Sequence, residues 1–186
     1  KAMQEAGIGI FRFAGSDTPP SFGARIAQKI LEHRLSIIFG MGSRPQRGAK
    51  EKFDSLVEAY GILIRSGLRS VFMGGESGND FINREVMNKG VGFEDIVYSI
   101  KALREAEKKA GEKVYLSLAL IYPPPLLGQV SLEQVKEDNM RLLGETLPDS
   151  VMITPPGPFL HTQWYEHKQK FGFQLDDSLL ERVMKY

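Results

Sequence analysis

Gly-Gly-Glu-Ser-Gly-Asn-Asp, at residues 74–80, follows a short run of β-favouring residues and precedes a stretch with helical spacing. Every other predicted strand also runs out into a segment rich in Gly or Pro. These segments read Ala-Gly-Ser-Asp-Thr-Pro-Pro from residue 14, Gly-Met-Gly-Ser-Arg from 40, Ile-Tyr-Pro-Pro-Pro from 121 and Thr-Pro-Pro-Gly-Pro from 154. Because ligands of parallel α/β folds bind at the carboxyl ends of the strands, the recurrence predicts a shared binding rim.

The hydrophobic periodicity alternates between strand and helix along the whole chain. Strands are predicted at residues 8–14, 35–40, 70–74, 113–121 and 150–154, and helices at 22–33, 50–66, 81–88, 93–110 and 131–145, with one or two more in 164–186. Units of about 35 residues that repeat in this way indicate parallel α/β architecture with right-handed crossovers. An open doubly wound sheet and part of a barrel both fit this pattern, whereas a complete eight-fold barrel needs about 250 residues. We interpret residues 1–186 as one domain.

Composition narrows the possible functions. The chain has 186 residues, a formal net charge of +1 and no cysteine. The small net charge does not indicate a nucleic-acid partner, and the lack of cysteine excludes disulfides and thiolate-ligated metal centres within these residues. The three histidines, His33, His161 and His167, are too scattered to predict a metal site. No apolar run approaches the roughly 20 residues that span a bilayer, and nothing resembles a signal peptide, so we expect a cytoplasmic protein without a membrane partner.

Three segments in this order resemble the radical SAM superfamily. They are residues 74–80, Met-Asn-Lys-Gly at 87–90, and Glu-Asp-Ile at 94–96. In that family they belong to the fourth strand and following helix of a partial (β/α)6 TIM-like barrel. The resemblance runs from the second strand to the sixth, and is closest to the branch with coproporphyrinogen oxidase-like, methylthiotransferase-like and cobalamin-dependent members.

The resemblance implies an enzyme that binds a [4Fe–4S] cluster and S-adenosylmethionine (SAM) and generates a 5′-deoxyadenosyl radical. This sequence departs from the family at two places. The Cys-x-x-x-Cys-x-x-Cys loop that holds the cluster and the strand before it are absent, and the fifth strand ends in Pro-Pro-Pro rather than Gly-x-Pro-Gly. We interpret the first departure as truncation of the barrel at its N-terminus and expect these residues alone to be inactive.

Glu76 is the strongest candidate for a SAM contact. A carboxylate at a strand end can accept hydrogen bonds from ribose hydroxyls or an ammonium group, and small neighbours such as Gly75 permit close approach. The structural alternative is an acid placed at a helix N-terminus. Ser77 would bond the same ligand or cap the following helix.

Two further side chains lie in the loops after the second and third strands of the family's numbering. Arg44 would clamp a SAM carboxylate or pair with a neighbouring acid, with equal support for both. Asp17 would contact substrate, although Asp-Thr-Pro-Pro is also a helix-start signal.

The last two strand ends are rich in proline. The resemblance implies that Tyr122 and Pro123 form an apolar platform for the adenine of SAM, and the alternative is an extended exit from the strand. Pro156 and Gly157 would face substrate or form a rigid turn. His161 and His167 are more typical of surface or packing residues than of a metal site or general base.

Two other functional hypotheses remain open. A degenerate barrel could act as a non-catalytic SAM-binding or scaffolding module. An unrelated aldolase- or isomerase-type barrel could use Glu76 as a base, but such a site usually needs a Lys or His at another strand end, and none of the five ends has one. The substrate stays unspecified, and an exposed sheet edge predicts a possible homo-oligomer.

Overall fold

A computed structural model describes residues 2–13, 17–158 and 162–173. Within them, five parallel strands form one sheet in the order β1-β2-β3-β4-β5. The strands are β1 (Ile10–Arg12), β2 (Ile38–Ser43), β3 (Leu68–Glu76), β4 (Tyr115–Ile121) and β5 (Ser150–Thr154). The helices are α1 (Ala2–Glu5), α2 (Pro20–Glu32), α3 (Phe53–Arg65), α4 (Phe93–Ala110), α5 (Leu132–Thr146) and α6 (Gln163–Glu166), with a π-helical turn at Ile82–Val86.

The order of the strands decides between the two architectures that the sequence left open. A doubly wound sheet reverses its strand order at a switch point and carries helices on both faces. Here the order follows the sequence without reversal, and α2, α3, α4 and α5 contact one another in succession. Right-handed crossovers in one direction place every connecting helix on the same face. The chain therefore folds as part of a TIM-like barrel, as predicted.

The two faces of the sheet differ in composition because side chains alternate along each strand. The face toward the helices holds the main core, which includes Phe39, Met41, Val71, Met73, Leu116 and Leu118 packed against Tyr60, Leu63, Ile100 and Leu103. The inner face carries mostly small residues on the central strands, namely Gly40, Ser70, Gly74, Ser117 and Ala119. These small side chains leave open space inside the curve of the sheet.

Both outer strands of the sheet are open edges within the described residues. β1 pairs only with β2 and is three residues long, and β5 pairs only with β4. Ile10, on β1, is 77% exposed. Association through one of these edges stays a prediction.

Several element boundaries differ from those predicted. β2 lies three residues further along than the predicted strand at 35–40, because residues 41–43, which were predicted as loop, are paired with β3. β3 extends to Glu76, so part of the predicted loop is strand. The predicted helix at 81–88 is a single π-helical turn, and α3 begins at Phe53 instead of residue 50.

Other predicted features are confirmed. β5 and α4 have the predicted bounds, and Gly111 ends α4 in the left-handed conformation with φ 69°. Ser131 caps α5, since its side chain accepts a hydrogen bond from the Gln134 N–H. The predicted tail after residue 173, the start of the loop after β1 (residues 14–16) and His161 lie outside the described residues. No helix in the described ranges combines the length and apolar character needed to cross a bilayer.

Candidate functional site

Glu76 ends β3 in an unusual backbone conformation. Its φ is +57°, and the register with β4 shifts between Gly74 and Glu76, which marks a β-bulge. The bulge turns the Glu76 side chain back over the inner face of Gly74, where an added Cβ would lie 2.8 Å from Oε1. A residue with a Cβ in the left-handed region costs about 1–2 kcal/mol. Such strain is typical of functional positions that the surrounding structure holds in place.

Lys89 is the partner of Glu76. Its Nζ lies 2.7 Å from Glu76 Oε1, with 13% of the Glu76 side chain and 36% of the Lys89 side chain exposed. The Lys89 backbone is fixed by a hydrogen bond from its N–H to the Asn83 carbonyl. Among the described residues, Oε2 of Glu76 has no hydrogen-bond partner, so this oxygen is free to accept a bond from a ligand.

A cleft of about 480 Å³ surrounds this pair, and we call it the Glu76 cleft. Besides the two charged side chains, the lining consists of apolar and polar groups, namely Val86, Met87, Asn88, Ile121, Gly157, Thr162, Gln163 and Trp164. The indole N–H of Trp164 donates to the Val86 carbonyl at 2.8 Å, which holds α6 over the cleft. The volume lies in the range of small-molecule sites, and a mostly apolar wall with a few polar groups is typical of them.

Helix α5 fixes the loop that follows Glu76. Oδ1 of Asn139 accepts hydrogen bonds from the Gly78 N–H at 2.6 Å and the Ser77 hydroxyl at 3.2 Å. Oδ2 of Asp138 accepts a bond from the Asn79 side chain at 2.7 Å. A Cβ at residue 78 would collide with the Asp138 carbonyl, so only glycine permits this close approach. The geometry of this loop therefore depends on Asp138 and Asn139 in α5, which lie about 60 residues further along the sequence.

Ser77 and Gly75 are directed away from the cleft. Ser77 is fully buried, and its Oγ bonds Asn139 and accepts the Asn79 N–H. The side chain that bonds the N–H of Ile82, at the start of the π-helical turn, is Asn79 rather than Ser77. Gly75 is buried on the helix-facing side, against Leu118. A ligand contact through either residue stays a prediction, and the alternative of Ser77 as the helix cap is wrong.

Arg44 and Asp17 pair with each other. Nε of Arg44 lies 2.8 Å from Oδ2 of Asp17, and the Arg44 side chain is more than half exposed. Asp17 does not cap α2, because Pro19 occupies the N-cap position without a side-chain bond and Pro20 is the first helical residue. The structure thus agrees with the neighbouring-acid interpretation of Arg44. Oδ1 of Asp17 is buried without a partner among the described residues.

The two proline-rich strand ends contribute differently. Tyr122 packs with Ile82, Val86, Val135 and Phe171, which form a second apolar cluster, the rim cluster. Its N–H bonds the Thr154 carbonyl at 3.0 Å. Tyr122 and Pro123 do not line the Glu76 cleft, whereas Ile121 does. Gly157 lines the cleft and the neighbouring Pro156 does not. Their predicted ligand contacts remain predictions.

The described residues hold no group of three or more His, Asp and Glu side chains placed to bind a metal ion. His167 is exposed at the C-terminal end of α6. The Glu76 cleft instead offers a carboxylate, an ammonium group and apolar walls. Such a set can hold a zwitterion beside a ring system. The hypothesis of an aldolase- or isomerase-type site needs a basic side chain in addition to Glu76. Lys89 supplies such a side chain, although it does not lie at a strand end.

Lys89 is the residue that sequence reasoning missed. The Met-Asn-Lys-Gly segment contributes to the resemblance, but the sequence alone predicts no role for its lysine. Its position beside Glu76 depends on the π-helical turn and on the backbone bond to Asn83. No local sequence pattern reports that geometry. The recurrence of the two segments in one family is the signal that could have linked them.

Solved structures with similar folds support the resemblance. Coproporphyrinogen III oxidase (HemN) from Escherichia coli, a radical SAM enzyme, matches with a TM-score of 0.56 and 17% identity over 80% of this chain and 32% of that chain. The cobalamin-dependent S-adenosylmethionine radical enzyme OxsB matches with a TM-score of 0.55 and 19% identity in its aqua-cobalamin complex, over 97% of this chain and 24% of that chain. The OxsB complex with aqua-cobalamin and S-adenosylmethionine gives 0.51 and 20%, over 94% and 24%.

At identities of 17–20%, these similarities show the fold alone. The chain spans about a third of the length of HemN and about a quarter of OxsB. No family model and no curated protein matches the sequence. The predicted partial TIM-like barrel is confirmed, and membership of the radical SAM superfamily stays a prediction.

Proposed function

We propose that this chain is most of the core barrel of a radical SAM enzyme and that the Glu76 cleft is its SAM site. The observation that carries the proposal is the Glu76–Lys89 pair, a carboxylate and an ammonium group 2.7 Å apart inside an apolar-walled cleft at the strand ends. The similarity of the fold to HemN and OxsB supports it.

The residues of the cleft fit the chemistry of SAM. The methionine moiety of SAM is a zwitterion, so its ammonium group would bond the free oxygen of Glu76 while its carboxylate would bond Lys89. The ligand replaces one internal ion pair with two charge-assisted pairs, which leaves neither protein charge unpaired. Val86, Ile121 and Trp164 supply apolar surface for the rest of the molecule. The protein's contribution is therefore to bind, to orient and to exclude water.

The cluster does not fit the residues present. The chain has no cysteine, so no thiolate can ligate a [4Fe–4S] centre here. The reductive cleavage of SAM to a 5′-deoxyadenosyl radical would depend on a cluster held by residues outside this chain. We infer that the 186 residues are inactive alone and that the complete protein is a cytoplasmic oxidoreductase-like enzyme.

The lack of cysteine also favours a second candidate, a non-catalytic barrel that binds SAM or serves as a scaffold. Under this alternative the cleft would bind SAM without any cluster in the complete protein. Anaerobic reconstitution of the full-length protein with iron and sulfide separates the two. A reducible electron paramagnetic resonance signal that SAM perturbs supports the enzyme, and the absence of a cluster supports the second candidate.

The SAM site can be tested in this chain directly, because its single tryptophan, Trp164, lines the cleft. We expect SAM to change the Trp164 fluorescence. Glu76→Gln and Lys89→Met should each weaken SAM affinity about tenfold or more, since each removes one charge-assisted hydrogen bond. Isothermal titration calorimetry gives the affinities.

Two controls make the test specific. The compound 5′-methylthioadenosine keeps the adenosine but lacks the amino-acid group, so the same variants should leave its affinity unchanged. Glu94→Gln removes one acid from the exposed Lys50–Glu94 pair and should affect neither ligand. Equal losses for SAM and 5′-methylthioadenosine would contradict the assigned roles of Glu76 and Lys89.

A further inference from the structure

A second cleft on the same rim is lined by four cations. The cleft measures about 260 Å³, and its lining comprises Arg44, Pro45, Gln46, Arg47, Lys52, Lys89, Gly90 and Val91. No carboxylate belongs to that lining. Lys89 lines this cleft and the Glu76 cleft alike, so the two clefts are neighbours. We call the second one the basic pocket.

The four cations divide into two pairs by their partners. Arg44 and Lys89 are neutralised by acids outside the basic pocket, Asp17 and Glu76. Arg47 and Lys52 have no acidic partner among the described residues. Nζ of Lys52 lies 2.9 Å from the Arg47 carbonyl, and this hydrogen bond holds the lysine against the loop. The basic pocket therefore has two positive charges in its lining that make no ion pair among the described residues.

Helix α4 holds this loop in place. The N–H of Gln46 donates to the Ser99 hydroxyl at 2.9 Å, and the N–H of Gly48 donates to Asp95 Oδ1 at 2.8 Å. Oδ2 of Asp95 also accepts the N–H of Gly92, at the start of α4. These bonds bracket Arg47 and fix its backbone before any ligand arrives. A loop whose backbone is already held loses less conformational entropy on binding than a free loop, although the Arg47 side chain is itself exposed.

We propose that the basic pocket binds a phosphate monoester group of the substrate. A phosphate monoester carries about −1.5 to −2 charges at pH 7, which matches the two unpaired cations better than a single carboxylate does. The volume exceeds several-fold the roughly 30 Å³ that one water occupies in the liquid, so a tetrahedral anion fits. Arg47 supplies a guanidinium fork and Lys52 a point charge, the two side-chain types that recognise phosphate.

The position of the pocket suggests its role. Lys89 separates the two clefts, so a phosphate in the basic pocket would anchor the remainder of a substrate next to the Glu76 cleft. This substrate role rests on the proposed function, whereas phosphate binding itself does not. The two statements can therefore fail separately.

The test is calorimetric titration of the 186-residue chain with methyl phosphate and, separately, with malonate. We expect Arg47→Gln/Lys52→Gln to weaken methyl phosphate binding about tenfold or more, since two charge-assisted contacts are lost. The matched control is Arg25→Gln/Lys108→Gln, which removes two charges from exposed positions on α2 and α4 outside the pocket. This control should bind methyl phosphate like the wild type.

The outcomes distinguish failure of the phosphate site from failure of the proposed function. No measurable methyl phosphate binding, an equal loss in the control variant, or malonate affinity equal to that of methyl phosphate overturns the phosphate site. SAM affinity, read from Trp164 fluorescence, should be unchanged in Arg47→Gln/Lys52→Gln. Phosphate binding without SAM binding overturns the substrate role and the proposed function but leaves the phosphate site. SAM binding without phosphate binding overturns the phosphate site, and the substrate role with it, but leaves the proposed function.

Discussion

The two ends of the sheet both carry clustered charges, but they use them differently. At the amino end, Arg104 bonds Glu107 and Asp149, and Lys113 also bonds Asp149, with N–O distances of 2.7–2.9 Å. The same carboxylates accept backbone N–H groups from Val114 and Leu116. At the carboxyl end, Glu76 bonds Lys89 alone among the described residues.

The difference distinguishes a cluster that stabilises the fold from the cleft that we propose as the binding site. At the amino end Arg104, Lys113, Glu107 and Asp149 are paired with one another, and the two carboxylates also accept backbone N–H groups at the start of β4. The Arg104 guanidinium also donates to the Val114 carbonyl at 3.1 Å. That cluster borders an open cleft of about 560 Å³, larger than the Glu76 cleft, whose lining also includes Lys108, which is unpaired among the described residues. Cleft size alone would select this end, where the four clustered charges already bond one another.

The largest expected effect on stability comes from a backbone clash at the carboxyl end of the sheet. Gly78→Ala places a Cβ into the Asp138 carbonyl, so we expect a loss of about 3 kcal/mol or more in the free energy of unfolding. Gly144→Ala, an exposed position in α5 with open space around it, should instead stabilise the protein by about 0.5–1 kcal/mol. Urea denaturation measures both. Similar stabilities for the two variants would contradict the close approach of the loop to α5.

Removing a cation at the amino end should cost stability but not binding. Arg104→Ala leaves Glu107 and Asp149 with fewer partners, and we expect a loss of about 2 kcal/mol. Thermal unfolding, with SAM titration of the folded protein, tests both halves of the prediction. A loss of SAM affinity at constant stability would reverse the functional assignment of the two ends.

Asp149 should make the amino end sensitive to acid. Burial alone would raise the pKa of Asp149, but the Leu116 N–H, Lys113 and Arg104 outweigh burial and hold this pKa well below its usual range. A carboxyl group whose pKa is lower in the folded state stabilises the protein at pH values above its unfolded pKa. That stabilisation falls as the pH drops below about 4, the pKa of an unperturbed aspartate.

The matched variant is Asp149→Asn, which keeps the shape of the side chain and removes the titration. It should be less stable than the wild type at pH 7, and the gap should narrow progressively as the pH falls below about 4. Denaturant midpoints at a series of pH values measure the gap. A gap independent of pH would show that the charge of Asp149 does not contribute.

The sequence predicted the amino-to-carboxyl order of elements well because periodicity and helix-end signals are local. Gly111 and Ser131 ended and began their helices where expected. Glycines misled the strand boundary of β2: residues 41–43 read as loop, although they pair with β3. Gly40 lies beside Ser70 of the neighbouring strand, whose side chain occupies the space that a Cβ would take. A residue required by a neighbouring strand cannot be recognised from its own strand.

The site was predicted less completely than the fold. Glu76 was correctly placed at the end of its strand, and Arg44 and Asp17 were each singled out. A neighbouring acid was one of two alternatives for Arg44, but Asp17 was not identified as that acid. Lys89 and Asn139 were missed because their contacts with the loop after β3 depend on a π-helical turn and on a distant helix. Contacts between separate elements need the three-dimensional register, which one sequence does not supply.

The smallest expected effect concerns two strained residues, one at each end. Glu76 has φ +57°, and Leu147, the exposed C-cap of α5, has φ +42°. Glycine avoids the cost of a Cβ in the left-handed region of backbone conformation. We therefore expect Glu76→Gly to be more stable than Glu76→Ala by about 1 kcal/mol. Leu147→Gly should be more stable than Leu147→Ala by a similar amount.

The functional consequence should differ between these two positions. Both Glu76 variants should lose SAM affinity, because each lacks the carboxylate, whereas both Leu147 variants should keep it. Strain at Leu147 would then be only the cost of ending a helix without glycine. Strain at Glu76 would be the cost of aiming a carboxylate into the cleft, since a side chain there cannot be exchanged for glycine without losing the ligand. Unchanged SAM affinity in Glu76→Gly would remove that distinction and leave the bulge as a structural feature alone.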